Sequence, residues 1–315
     1  MIKEKLPALL ASREGLKVAC VFFNILDAKD RKTAVKNLPI NEMVTNKLAH
    51  LFIIHIANTL DDTQLTKKKV LHEALKLLDD HIEDRCFQSV LISALTPPVQ
   101  SATKDKDSKV FFNPFITAED VKCFKAGQEF TTSKKEVMTR HRELVKIVQK
   151  PLEIFFEEKL QYYLLEPKGN PVLKALLVAI AANCTFEESD MLDELLRQVQ
   201  KKLSFEKNEP GVAKMLLSHP IVHRLLKDMV KGEAQSKVDS NELSLCQQIA
   251  KICLRNFDDV IKGRAVFILI ELLEHENTKK MVLKQLKAQK AEIKQAAKEQ
   301  PNASGLQILM KKLSE

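Results

Sequence analysis

The sequence predicts an all-α protein built as a solenoid of helical repeats. Two observations support this prediction: a recurring apolar pattern, and a composition typical of packed helices. Seven times along the chain, a small or turn-like anchor residue is followed by apolar residues three, four and eight positions later. These offsets fall on one face of a 3.6-residue helix, so each unit has an apolar stripe that it cannot bury alone. Stacking on neighbouring units would bury it.

The anchors recur at intervals typical of such repeats. They are Gly15, Ala49, Phe87, Gly169, Val222, Arg264 and Gly305. The residues three and four positions later are Val18/Ala19, Phe52/Ile53, Val90/Leu91, Val172/Leu173, Leu225/Leu226, Phe267/Ile268 and Ile308/Leu309. The residues eight positions later are Phe23, Ala57, Leu95, Leu177, Val230, Leu272 and Leu313. The interval from Phe87 to Gly169 is about twice the others, which indicates two units, one of them degenerate.

Composition favours the same class. Of 315 residues, 45% are hydrophobic and 29% charged, with 7 Gly and 11 Pro, as in a soluble, packed helical protein with few strands. The run 48–57 is rich in β-branched residues, but it keeps the repeat register and is predicted to be a buried helix. Asp61, Asp62 and Thr63 can cap the start of a further helix over 64–78.

Loop signals divide the chain into three segments. Residues 1–96 and 136–315 carry the repeat pattern. Residues 97–135 contain a Pro-Pro pair, a polar run at 100–109 and a second loop signal near Gly127. A loop of this length inside a compact array is predicted to be an insertion or a mobile element.

Several classes of function find no support in the sequence. The longest apolar run, 175–182, is far shorter than the roughly 20 residues that cross a membrane, and the first residues lack the apolar core of a signal peptide. The six cysteines show no metal-ligand spacing and are predicted to be reduced core thiols. His50 and His55 lie in an apolar run and are predicted to be core or groove residues. We predict no catalytic site, no cofactor and no metal site.

Ordered blocks along the chain resemble one family. They are SREGLKV at 12–18, DAKDRKTAVK at 27–36, AHL at 49–51, LDDT at 60–63, SKKE at 133–136, REL at 142–144, SHP at 218–220 and LMKKLS at 309–314. Together they resemble the Puf-A (Penguin, CPL-domain) branch of the Pumilio-repeat proteins. The resemblance implies a right-handed, Pumilio/armadillo-like superhelix, with Pumilio-like repeats at 1–96 and CPL-type repeats at 136–315.

The resemblance also implies a function and a location. Family members are nucleolar or nuclear proteins that bind RNA or DNA with little sequence preference and are linked to maturation of the large ribosomal subunit. The expected partners are pre-ribosomal RNA, DNA and ribosome assembly factors, with no membrane, and the chain is expected to be a monomer. Because family proteins carry further N-terminal repeats, this chain is predicted to be a C-terminal portion or the product of a truncated gene model.

Sequence-specific Pumilio relatives read one base per repeat through side chains one, two and five positions after the anchor. Here these positions hold Leu16/Lys17/Cys20, His50/Leu51/Ile54, Gln88/Ser89/Ile92, Asn170/Pro171/Lys174, His223/Arg224/Lys227, Ala265/Val266/Leu269 and Leu306/Gln307/Met310. None is a set that pairs with a base edge, and only 5% of residues are aromatic. The sequence therefore predicts neither a base-by-base code nor an array of stacking platforms.

Charge is the remaining signal. The net charge is +8 and the pI about 9.0, which suits a partner with a phosphate backbone. The N-terminal basic cluster comprises Arg13, Lys17, Lys29, Arg31, Lys32 and Lys36, of which residues 29, 32 and 36 share one helical face. A C-terminal lysine stripe comprises Lys280, Lys284, Lys287, Lys294 and Lys298. Either could neutralise phosphates by counterion release.

Two alternatives stay open at this level. Lysine stripes on repeat helices are often solvated faces without a ligand. We favour a nucleic-acid-binding scaffold, and the alternative is a nuclear protein-interaction scaffold of the HEAT or armadillo kind. The apolar pattern does not separate the two, because both functions demand the same core.

Overall fold

The computed structural model describes residues 8–96, 123–125, 128–130, 135–166, 170–183, 189–204, 213–234, 244–300 and 303–314. Helices dominate the described part, so the helical-repeat fold class is confirmed. The chain divides into two compact units, Met1–Phe155 and Phe156–Glu315.

The first unit contains most of its helices before residue 97. They are α1 (Arg13–Ile25), α2 (Ala28–Lys36), α3 (Ile40–Met43), α4 (Ala49–Thr59), α5 (Thr63–Thr66), α6 (His72–Leu75), α7 (Leu78–His81) and α8 (Arg85–Leu95). A π-helical turn, Lys67–Leu71, joins α5 to α6. Helix α9 (Val137–Glu157) begins in this unit and ends just beyond its boundary. Strands β1 (Cys123–Lys125) and β2 (Gln128–Phe130) pair antiparallel.

The row α1, α4 and α8 forms the core of the first unit, each helix packing on the next. Phe23 of α1 meets Phe52 of α4 edge to face, with ring centroids 5.6 Å apart. The helix starts follow the sequence signals, because the side chains of Ser12, Asp27 and Asp84 accept a backbone N–H from the first turns of α1, α2 and α8.

The second unit contains a further row of helices. Its elements are α10 (Leu160–Leu165), α11 (Pro171–Asn183), α12 (Asp190–Val199), α13 (Val222–Ala234), α14 (Leu245–Arg255), α15 (Phe257–Ile261), α16 (Val266–Glu274), α17 (Glu276–Ala288), α18 (Lys290–Glu299) and α19 (Ser304–Lys312). Strands β3 (Lys202–Leu203) and β4 (Lys214–Met215) form a short antiparallel pair that precedes a 3₁₀ turn, Leu216–Ser218. Helices α11, α13, α16 and α19 pack in succession, while α14 and α17 pack on each other and against α16.

Burial tests the predicted repeat register residue by residue. The residue four positions after the anchor is buried in every unit: Ala19, Ile53, Leu91, Leu173, Leu226, Ile268 and Leu309. The position three after the anchor is less regular, because Val18 is 56% exposed and Ile308 is 42% exposed. Among the described helices, α1 and α19 each have one neighbour in their row, so a narrower stripe of each is covered.

Two local predictions need correction or fall outside the described residues. The helix predicted over 64–78 begins at Thr63, contains the π turn at Lys67–Leu71 and ends at Leu75, three residues earlier than predicted. The run 48–57 is helical, as predicted, within α4. The anchor Gly169 and most of the predicted 97–135 loop lie outside the described residues; from that loop, the structure describes β1, β2 and Lys135.

Candidate nucleic-acid interface

The N-terminal basic cluster lies on two consecutive helices of the first unit. Arg13 and Lys17 are exposed, one turn apart, on α1. Lys29, Lys32 and Lys36 are exposed on one face of α2, as their spacing of three and four predicts. Lys32 is paired with Asp62, its Nζ 2.7 Å from Oδ2, and this bond lowers the pKa of the Asp62 carboxyl. Lys17, Lys29 and Lys36 have no acidic group within ion-pair distance in the described part of the chain.

Arg31 does not belong to this surface, so its assignment as a phosphate contact was wrong. Its side chain is only 3% exposed and its guanidinium lies 5.5 Å from the ring centroid of Phe23. The guanidinium donates to three backbone carbonyls: Nη2 to Asn24 at 2.8 Å, Nε to Leu26 at 3.1 Å and Nη1 to Thr59 at 3.4 Å. These carbonyls lie at the C-terminal ends of α1 and α4, where a cation also offsets the helix dipole.

A second buried arginine caps the same end of α4. Arg140, at the start of α9, donates from Nη1 to the carbonyl of Asn58 at 2.6 Å and from Nη2 to Asp61 Oδ1 at 2.8 Å. Both buried arginines therefore hold helix ends together, and neither guanidinium is exposed to a ligand. The spacing of residues in α2 could have predicted the burial of Arg31. Arg31 shares the buried face of the helix with Ala34 and Val35, and this face lies opposite the three exposed lysines.

A cavity of about 420 Å³ opens beside these arginines, lined by Arg31, Lys32, Asp61, Asp62 and Lys135 among others. Its cations face acids at close range: Lys32 pairs with Asp62, and Lys135 lies 2.8 Å from Glu143. With this balance of charge, the cavity does not favour an anion.

The predicted C-terminal lysine stripe is not continuous, and its description as one helical face was wrong. Gln289 ends α17 and precedes α18, with φ −97° and ψ 18°, outside helical geometry. Lys280, Lys284 and Lys287 share one face of α17, whereas Lys294 and Lys298 belong to α18. All five are exposed, and none has an acid within ion-pair distance among the residues that the structure describes. The cations thus remain available to solvent as two shorter groups.

The structure adds a basic groove that the sequence did not reveal. A cavity of about 450 Å³ is lined by Arg197 of α12, by Lys251 and Arg255 of α14, and by Asp193, Leu196, Gln200, Gln248 and Ile252. Arg197 also contacts Glu194 at 3.0 Å. Helix α14 packs on α17, the helix that carries Lys280, Lys284 and Lys287. Only the packing of the fold brings Arg197 close to Lys251 and Arg255 in this groove, because Arg197 is far from both in the sequence.

The charges along the row α11, α13, α16 and α19 mostly pair with each other. Lys174 lies 2.6 Å from Asp228, Lys227 and Lys231 lie 3.9 and 3.8 Å from Glu271, and Lys312 contacts Glu274. Each pair joins neighbouring helices of the row. These lysines are therefore partly neutralised and are weaker candidates for phosphate contacts than the unpaired lysines of α1, α2 and α17.

Burial also decides what the predicted base-reading positions can do. Leu16, Cys20, Leu51, Ile54, Ile92, Ala265, Val266, Leu269 and Leu306 are all buried. His50, Gln88 and His223 are at most 8% exposed, and burial lowers the pKa of His50 and His223, which keeps both neutral at pH 7. Side chains enclosed in this way cannot reach a base edge, so direct readout is excluded at these positions.

These features define a helical-repeat protein whose exposed helix faces carry lysines without acidic partners. Among the described residues, no helix combines the length and the apolarity that a bilayer crossing requires.

Residues 104–242 match the family model described as the CPL (NUC119) domain. Human Pumilio homolog 3 is 23% identical over 329 residues, covering 99% of this chain and 46% of the relative. Protein penguin of Drosophila melanogaster is 24% identical over 231 residues, covering 71% of this chain and 29% of the relative.

Two solved structures share the fold. The crystal structure of human Puf-A superimposes with a TM-score of 0.70 at 20% identity, covering 99% of this chain and 57% of that chain. The crystal structure of human Puf-A in complex with DNA gives 0.69 at 20% identity, covering 100% and 56%. The family model, these relatives and the shared fold all support a similarity to the Puf-A/Penguin branch of the Pumilio-repeat proteins, which the sequence resemblance predicts. It spans about half the length of the Pumilio homolog 3 relatives.

Proposed function

We propose that this chain binds RNA and DNA mainly through the phosphate backbone, with little sequence preference. The observation that carries this proposal is the grouping of exposed lysines without acidic partners on single helix faces: Lys17 on α1, Lys29 and Lys36 on α2, and Lys280, Lys284 and Lys287 on α17. The fold it shares with human Puf-A, which has been crystallised with DNA, supports a nucleic-acid ligand.

The chemistry of lysine explains the expected lack of sequence preference. An ammonium group is a compact point charge on a flexible stem, so it follows a phosphate backbone without imposing one geometry. Each phosphate that it neutralises releases condensed counterions, which favours binding whatever the base sequence. Base edges would have to be read by other side chains, and the positions that read them in sequence-specific relatives are largely buried here.

A protein partner is the second candidate, and α1 supplies the observation that favours it. Val18 and Ile25 are each 56% exposed on α1, and Val21 and Phe22 between them are half-buried. An apolar stripe of this kind on an exposed helix is typical of a protein contact. In this alternative the neighbouring lysines add solubility, and the ligand is an assembly factor.

Charge reversal separates the two candidates. In the triple variant Lys17→Glu, Lys29→Glu and Lys36→Glu, we expect RNA affinity at about 0.1 M salt to fall about 100-fold, because three phosphate contacts with a slope of about 0.7 each are lost. The fall should be the same for unrelated RNA sequences. Fluorescence anisotropy with labelled single-stranded RNAs measures it. Lys280→Glu, Lys284→Glu and Lys287→Glu, made together, test the α17 face in the same assay.

The matched control reverses three exposed lysines of the same unit outside the cluster: Lys47→Glu, Lys68→Glu and Lys69→Glu. It changes the net charge equally, so it should weaken binding only a few-fold through the long-range field. If the cluster variant and the control lose affinity equally, the N-terminal basic cluster makes no specific phosphate contacts. If neither unit's cluster variant loses affinity, backbone recognition is wrong and the protein-scaffold function gains support.

The similarity to Pumilio homolog 3 and protein penguin supports a wider proposal about the protein's role in the cell. We propose that the protein is nucleolar and binds pre-ribosomal RNA during maturation of the large ribosomal subunit, together with assembly factors. Sedimentation of a tagged full-length protein tests this proposal. It should co-migrate with large-subunit precursors and leave them when the lysines of α1 and α2 are reversed, whereas recovery only in the free fractions would contradict it.

A further inference from the structure

Three helices of the second unit bring metal-ligand side chains to one point. Glu233 lies in the last turn of α13, Cys246 in the first turn of α14, and His275 immediately before α17. One donor atom from each, a carboxylate oxygen, the thiol sulfur and a ring nitrogen, all lie within 4.8 Å of one another. Cys246 is fully buried, His275 is 6% exposed and Glu233 is half-buried.

His275 is a buried residue with two polar ring nitrogens. Neither Nδ1 nor Nε2 has a hydrogen-bond partner among the residues that the structure describes. An unsatisfied buried polar atom costs roughly 1–3 kcal/mol, and such atoms are rare in folded proteins. A ring enclosed in this way needs a ligand, and one of its nitrogens already lies beside a thiol and a carboxylate.

The other two donors are held in place by the backbone. Glu233 accepts the N–H of Cys246, which lies 2.7 Å from its Oε2, and this bond links the end of α13 to the start of α14. The Cys246 thiol points at the Val230 carbonyl, 3.8 Å away. Burial, followed by the nearby Glu233 carboxylate, raises the pKa of the thiol above its ordinary value.

We propose that Glu233, Cys246 and His275 form a Zn²⁺ site that ties α13, α14 and α17 together. Zn²⁺ binds sulfur, imidazole and carboxylate at about 2.0–2.3 Å, which places tetrahedral ligands roughly 3.3–3.8 Å apart. The three donors need to close by only about 1 Å to reach this geometry. As the Zn–S bond forms, the Cys246 proton passes to solvent and the thiolate keeps the electron pair. Water fills the fourth position on the half-exposed Glu233 side.

This proposed site differs from the sequence-based prediction that the chain has no metal site, and the difference has a physical reason. Structural zinc sites are recognised in sequences by pairs of ligands two to five residues apart. Here the three ligands come from α13, α14 and the residue before α17, and the packing of α14 on both α13 and α17 brings them together.

Cobalt binding tests the proposal. The protein is stripped with a chelator, which is then removed, and titrated with Co²⁺ as a spectroscopic probe. We expect one Co²⁺ per chain, tetrahedral visible bands, a near-ultraviolet thiolate-to-cobalt band, and displacement of Co²⁺ by Zn²⁺. Cys246→Ser should abolish the thiolate band. His275→Gln should weaken Co²⁺ binding at least about 100-fold, which is more than is typical when the lost residue only hydrogen-bonds to a metal ligand.

A cysteine on the same helix provides the matched control. Cys253 is fully buried on α14 but is not part of the cluster, so Cys253→Ser should keep the thiolate band. Zn²⁺ should also raise the thermal unfolding midpoint of the unaltered protein and of Cys253→Ser, but not of Cys246→Ser. Absence of a thiolate band in the unaltered protein would overturn the proposal, whether or not the variants fold. Its persistence in Cys246→Ser would also overturn it.

Discussion

Replacing Arg31 with alanine should lower the free energy of unfolding by about 3 kcal/mol. The change leaves the carbonyls of Asn24 and Leu26 without the donors that they have now, and it removes the contact with Thr59. A hydrogen bond to a charged donor contributes roughly 1.5–3 kcal/mol, and each carbonyl left unsatisfied costs about 1–3 kcal/mol. Burying the guanidinium is itself costly, so the net effect is smaller than the sum.

Urea unfolding followed by circular dichroism measures this loss. Lys29→Ala, an exposed change on the same helix, should stay within about 0.5 kcal/mol. Arg31→Lys should fall between the two, because an ammonium group cannot reach three carbonyls as a planar guanidinium does. The contrary result is an Arg31→Ala variant with an unchanged free energy of unfolding and a weaker affinity for RNA. That result would show that Arg31 contacts phosphate instead of holding the helix ends.

Acid should destabilise the first unit through two buried histidines. Burial lowers the pKa of His55 and of His141 to about 4 in the folded protein. The ordinary unfolded value is about 6.5, so between these two values the unfolded chain binds more protons than the folded one. Stability is therefore fully present above pH 6.5 and is lost as the pH falls towards 4. From pH 7 to pH 4.5 each histidine should account for about 2 kcal/mol of the loss.

Urea unfolding at both pH values checks the sign and the size. His55→Gln removes one titrating group and keeps a polar side chain beside Asn24 Oδ1, which now lies 3.0 Å from Nε2. The variant should therefore lose less stability on acidification than the unaltered protein. His72→Gln, an exposed change, should show the unaltered pH dependence. Equal acid sensitivity in His55→Gln and the unaltered protein would show that His55 is not buried in its neutral form.

Much of the fold follows from periodicity and capping residues. The position four after each anchor is buried throughout, from Ala19 to Leu309, because it lies at the centre of the apolar stripe. Ser12, Asp27, Asp62 and Asp84 start helices because each side chain accepts a backbone N–H that has no helical partner. These signals are local, so the sequence alone contains them.

The parts that the sequence did not predict depend on packing over long separations. Arg31 carries the same charge as its exposed neighbours, and its burial depends on the end of α4, far along the chain. The lysine stripe from 280 to 298 keeps helical spacing across Gln289, where the helix ends. The groove formed by Arg197, Lys251 and Arg255 joins two helices that the sequence separates. In each case the sequence shows the type of the residue, but only the folded structure shows which residues surround it.

The fold also explains why the lysines differ in what they offer a ligand. Where rows of helices stack, as in α11, α13 and α16, lysines meet acids of the next helix and are partly neutralised. By contrast, Lys17 on α1, Lys29 and Lys36 on α2, and the three lysines of α17 named above are exposed to solvent. Within the described part of the chain, their charge is not neutralised by an ion pair, so it is the charge that the proposed polyanionic ligand would meet.

The salt dependence of RNA binding tests backbone recognition most directly. The affinity of the unaltered chain for several unrelated single-stranded RNAs is measured between about 50 mM and about 200 mM salt. With three to six lysines on phosphates, the logarithm of the binding constant should fall linearly with the logarithm of salt concentration, with a slope of about −2 to −4. The lines for different sequences should be parallel and close together. A slope near zero, or one sequence bound far more tightly than the rest, would contradict the account.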